Sequence, residues 1–175
     1  MFLIIVSQFI GFLVGKIQMA ELIWTSKIEI DCGEIDRDHK KLLLIFNTLL
    51  SCKGSLSNAE VSVVIDDLIG YTKSHFIREE QIQKTINYPG ANEHSKQHNE
   101  IITKLGCVSN LIKNDADSTT LTIRGELLAL IRAWLFDHIM LSDTKMRPFK
   151  DKINKASAGM NSITKYLAVT STMTK

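Results

Sequence analysis

The chain has 175 residues, 21 of them basic and 19 acidic, for a formal charge of +2; that length suits one domain with a sizeable core, and the near-balance builds no field to attract nucleic acid. Its three cysteines, Cys32, Cys52 and Cys107, are odd in number and form no CxxC pair, which argues against a disulfide framework or a thiolate zinc site and for a reducing, cytoplasmic setting. With no GxxxxGK[ST], GxGxxG or GxSxG motif present, any chemistry falls to the histidines.

Residues 1–15 are uncharged, yet the run is shorter than the ~20 apolar residues a spanning helix needs. It also lacks the basic start and small-residue cleavage site of a signal peptide. Met19 offers a second beginning. Residues 1–18 are therefore read as an extension, either dispensable or a short anchor that contacts a membrane and leaves the body on the cytoplasmic side. The folded unit is expected over residues 19–148, entered through an N-terminal arm.

Four segments then repeat their apolar residues with the helical period. The first brings Ile35, Leu42, Leu43, Phe46, Leu49 and Leu50 to one face, together with His39. Ser57 and Glu60 form a capping-box pattern that opens the second, whose inward stripe is Ile65, Leu68, Thr72, His75, Phe76, Glu79, Ile82 and Ile86. Pro89 and Gly90 in "NYPGAN" should stop it. A third segment aligns His94, His98, Ile101, Ile102, Leu105, Val108 and Ile112, and a fourth aligns Leu127, Leu128, Ile131, Trp134, Leu135 and His138 and ends before Pro148. Residues 149–175 form a polar, mildly basic tail, expected to fray or lie loosely. The fold class is all-α: an up-down-up-down antiparallel four-helix bundle.

In such a bundle, sequence position becomes height. His39 lies near the start of the first helix, His75 and Glu79 near the end of the second, His94 and His98 near the start of the third, and His138 near the end of the fourth. All five histidines in the chain therefore converge on one layer at one end. Turning Glu79 inward would cost several kcal/mol unless a cation met it, so the layer is read as a metal centre. Glu80 points about 100° away from Glu79 and is taken as a solvated surface acid. Asp143 follows His138 by five residues, about 140° off on a regular helix, and can join only if the helix end unwinds or a π-type turn intervenes.

The segments "LIWTSKIEI", "IDRDHKKLL", "YTKSHFIREE", "INYPGANEHSKQH" and "WLFDHIMLSD" together resemble the bacteriohemerythrins of the hemerythrin family, through the ordered pattern H…HxxxE…HxxxH…HxxxxD. The resemblance implies two non-haem iron ions that bind O₂ reversibly, for storage, delivery, scavenging or sensing. It implies His94, His98 and His138 on one iron, His39 and His75 on the other, and Glu79 and Asp143 bridging them. Phe76, Ile131, Trp134 and Leu135 would form an apolar pocket for O₂. Two positions depart from the family's usual residues: Gln83 stands where Met is frequent and Ile101 where Phe is frequent, which puts pocket size and polarity in question. A di-iron enzyme that activates O₂ or reduces peroxide or nitric oxide is the alternative. The chain shows no Glu-x-x-His pair of the ferritin kind and no further acid evidently aimed at the pocket, which favours binding over turnover.

Overall fold

Each of the four periodic segments becomes a helix in the computed structural model, which describes residues 21–51, 57–114 and 120–172. They are α1 (Glu34–Ser51), α2 (Asn58–Thr85), α3 (Ala91–Asn114) and α4 (Thr120–Leu141), and a fifth helix, α5 (Lys150–Thr172), follows a 3-10 turn over Asp143–Phe149. Helix α1 packs on α2, α2 on α3, α3 on α4 and α4 back on α1, closing the bundle. The expected apolar face of α1 is buried throughout, with Phe46 fully enclosed; each such Leu, Ile or Phe contributes about 1.5–3 kcal/mol. All eight residues of the expected α2 stripe are buried as well. On α3, Leu105 is buried and Ile101 and Ile102 are partly so, while Ile131 anchors α4. The side chains of Val108, Ile112 and Leu127 lie outside the described residues.

The helix ends set the height of the site. Asp31 caps α1, accepting from the backbone N–H of Gly33 at 2.8 Å and of Ile35 and Asp36 at 3.2 Å, so His39 begins from a fixed terminus. Ser57 and Glu60 form the expected capping box on α2. At its far end α2 stops before Pro89 is reached. Asn87 takes a left-handed φ of 53°, and the N–H groups of Tyr88 and Asn87 return to the carbonyls of Gln83 and Lys84 at 2.8 and 3.2 Å, the paired closure that favours Gly or Asn at this position. The turn is thus made by Asn87, with Pro89 and Gly90 serving the re-entry into α3.

The C-terminal segment departs from the expected loose tail. Helix α5 rests against α2 and the 3-10 turn, with Ile153 fully buried beside Ile30, Ile35, Ile82, Ile86 and Met146. Its polar composition hid a short apolar stripe, which closes the end of the bundle below the histidines. The larger core, built around Leu42, Phe46, Ile65, Leu68, Leu105, Ile131 and Ile139, lies above them. Among the described residues no helix is long and apolar enough to cross a membrane. Residues 1–18, read as an extension or anchor, lie outside the described ones.

Candidate metal centre

Antiparallel packing brings all five imidazoles and two carboxylates into one buried layer, each residue no more than 7 % exposed. They fall into two groups that share a member: His94, His98, His138 and Asp143 on one side, and His39, His75, Glu79 and Asp143 on the other. The first trio places its rings 4.5–4.8 Å apart, and the His39 and His75 rings are also 4.8 Å apart. Asp143 Oδ1 lies 3.0 Å from His94 Nε2 and 3.1 Å from His138 Nε2, while its Oδ2 lies 3.2 Å from His39 Nε2. Glu79 spans the same gap, with Oε1 2.7 Å from His94 Nε2 and Oε2 3.3 Å from His75 Nε2.

Asp143 reaches the layer because α4 ends at Leu141 and the chain tightens into the 3-10 turn that begins at Asp143. Unwinding at the helix end, one of the two routes considered from the sequence, thus resolves the 140° misfit. Ser142 holds the break by donating its hydroxyl to Gln97 Oε1 at 2.6 Å.

These close approaches lack hydrogen-bonding geometry. His94, His98 and His138 Nε2, Glu79 Oε2 and both Asp143 oxygens are buried with no hydrogen-bond partner among the described residues. Buried polar atoms are rarely left so, and here all of them face the same two points. Neutral imidazole nitrogens and carboxylate oxygens in this ratio suit iron, and two cations among them would satisfy the whole set.

A model of the Hemerythrin HHE cation binding domain matches residues 33–149. The chain belongs to the hemerythrin family. A bacteriohemerythrin of Stenotrophomonas maltophilia is 30% identical over 125 residues, covering 71% of this chain and 78% of that protein. A myohemerythrin of Riftia pachyptila is 26% identical over 125 residues, covering 71% and 90%, and a hemerythrin-like protein of Naegleria gruberi is 24% identical, covering 71% and 89%. The hemerythrin domain binds a di-iron centre, and all seven residues of the buried layer able to hold metal ions lie within the matched span.

Two acids support this centre from behind, one of them against expectation. Glu80 is not merely a surface acid: its Oε1 lies 2.8 Å from His98 Nδ1, with the side chain 38 % exposed. Its Cβ leaves the Glu79 face, but that direction leads toward α3, where the outer nitrogen of His98 waits. Asp38, one residue before His39, lies 3.4 Å from His75 Nδ1 and is itself held by Tyr71 Oη at 2.6 Å and Arg78 Nε at 3.0 Å. Burial opposes the charge on Asp38, but those three partners hold its carboxyl well below the usual range. Burial and the Asp38 charge together push the Tyr71 hydroxyl up to about 12. A carboxylate behind an imidazole fixes its tautomer and orientation, and both acids act on the outer nitrogen rather than in the pocket.

Above the layer lies a cavity of ≈ 20 Å³, lined by His39, His75, Phe76, Ile131, Trp134 and Leu135 among others. All four residues expected to form the pocket border it. Phe76 also stacks on His98, with centroids 3.6 Å apart and planes 8° from parallel. Thr72, another lining residue, turns its hydroxyl to the Leu68 carbonyl at 2.7 Å, so its polar group is already spent.

Electrostatics within the layer predict how metal uptake depends on pH. Burial opposes a charge on His94, but Asp143 and Glu79 outweigh it and raise the imidazole from 6.5 to about 10, while burial and the neighbouring histidines push His98 down to about 2. The His94 proton stabilises the metal-free fold fully below pH 6.5 and ceases to do so as pH rises through about 10. A metal ion must displace it. Apparent affinity for a divalent metal should therefore rise with pH above neutrality, by about tenfold per unit for this one proton. Chelator competition at pH 7, 8 and 9 measures the slope, and a flat profile would show that no proton leaves the layer when metal binds.

Proposed function

We propose that this protein binds O₂ reversibly at its di-iron centre, as a carrier, store or scavenger rather than an enzyme. His94, His98 and His138 would hold one iron and His39 and His75 the other, with Glu79 and Asp143 between them. The observation that carries the reading is the cavity: it touches both histidines of the two-histidine group but only His138 of the trio. An iron pair supplies the electrons that make O₂ binding reversible. The chain's own residues do the rest: Phe76, Ile131, Trp134 and Leu135 keep water out, and Asp38 and Glu80 orient the imidazoles of His75 and His98. About 10–15 Å³ suffices for one water-sized molecule, so a cavity of ≈ 20 Å³ has room for a diatomic guest.

Turnover needs a proton donor at the bound guest. Among the described lining residues outside the proposed ligands, Thr72 and Trp134 carry a polar hydrogen; the Thr72 hydroxyl faces the backbone, and an indole N–H donates a hydrogen bond without giving up its proton. A cytoplasmic location fits the free thiols of Cys32 and Cys107.

Protein purified from iron-replete expression should contain about two irons per chain. Its charge-transfer bands should appear in air, fade under anaerobic conditions and return over repeated cycles. One iron per chain, or zinc retained in preference to iron, would refute the di-iron assignment; irreversible bleaching with product release would favour an enzyme.

A further inference from the structure

Gln83 lies one turn beyond Glu79 on α2 and is fully buried. Its Nε2 donates to Glu79 Oε1 at 2.7 Å and lies 3.3 Å from Met146 Sδ, while its Oε1 has no partner. A buried amide with an unpartnered carbonyl is costly. The surroundings give no packing reason to bear that cost, because Ile82, Ile86 and Met146 nearby form an apolar cluster that a Met side chain would suit.

The oxygen that receives this hydrogen bond faces the three-histidine group. Glu79 Oε1 lies 2.7 Å from His94 Nε2 and 3.9 Å from His98 Nε2, and Oε2 is left for His75 at 3.3 Å. The amide thus ties one oxygen of the carboxylate that lies in the gap between the groups. It also draws electron density from one of the two oxygens, and hydrogen bonds to ligating groups tune the metals they serve. We infer that Gln83 is a positioning residue that holds Glu79 in its bridging orientation and weakens it as a donor, shifting the iron pair toward the ferrous state that takes up O₂. The inference rests on the di-iron reading above and adds to it a determinant of reduction potential.

Gln83→Met removes the donor at nearly constant length, and Gln83→Leu removes it with a different shape. With two irons bound, both variants should favour the ferric state three- to tenfold more than the parent at a fixed applied potential. The tenfold limit is about 59 mV for one electron, read by spectroelectrochemistry, and oxidation in air should quicken in the same sense. Parental midpoints in iron-replete variants would overturn the inference and leave the di-iron reading intact. A parent that holds no iron pair would instead remove that reading. If the variants fold but load iron poorly, cobalt(II) titration decides: an affinity shifted in the same direction in both supports the amide's action on Glu79, and parental affinity overturns it.

Discussion

Asp143→Ala is expected to cost the protein its iron pair and several degrees of thermal stability. Asp143 is wholly buried and approaches His39, His94 and His138 within 3.0–3.2 Å. Burial opposes its charge, but His138, His39 and His94 keep its carboxyl well below the usual range. Removing one member of such a buried charged set costs about 3–5 kcal/mol, and Asp143 is the residue shared by both groups of candidate ligands. Asp143→Asn separates the contributions, since it keeps the shape and removes the charge. Iron content should fall below two per chain in both variants, and the melting gain on adding iron should shrink. If both hold two irons and melt with the parent, Asp143 only begins the turn after α4 and the bridge must be found elsewhere.

Asp143 also marks where the sequence stops being legible. The register of His39, His75, Glu79, His94, His98 and His138 follows from a 3.6-residue period and antiparallel packing, and the structure groups them accordingly. A residue five places after His138 breaks that period. Its inclusion depends on where a helix ends, which Ser142 and Gln97 settle through a contact 45 residues apart. Glu80 was misread for a related reason: period places a Cβ, whereas a long side chain reaches whatever the neighbouring helix presents. In α5, a single buried turn around Ile153 and Ser157 carries too few apolar residues to stand out from a polar segment. Gln83 could be seen as an unusual residue, but its grip on Glu79 needed the side-chain geometry.

His94→Ala and His98→Ala should each lose iron and stability, while Lys96→Ala between them should change neither. His94 and His98 are at most 4 % exposed and lie in one cluster of candidate metal ligands, whereas the Lys96 side chain is 74 % exposed and pairs with Glu93 at 3.6 Å. A surface change of that kind stays within about 0.5 kcal/mol. The two histidine variants should differ from each other. His94 stands between Glu79 and Asp143, so its loss takes a shared cationic partner from two buried carboxylates even before metal is added, and the metal-free protein should melt lower. His98 is held neutral by burial, stacks on Phe76 and contacts Glu80 through its outer nitrogen. Its removal opens space beside Phe76 but strands only the partly exposed Glu80. The His98→Ala deficit should therefore appear mainly on iron loading, and the His94→Ala deficit with or without iron. Iron content and melting midpoints of the three variants, metal-free and iron-loaded, test this ordering. Equal metal-free midpoints for His94→Ala and Lys96→Ala would mean that the two carboxylates do not depend on His94, and full iron in either histidine variant would remove that residue from the ligand set.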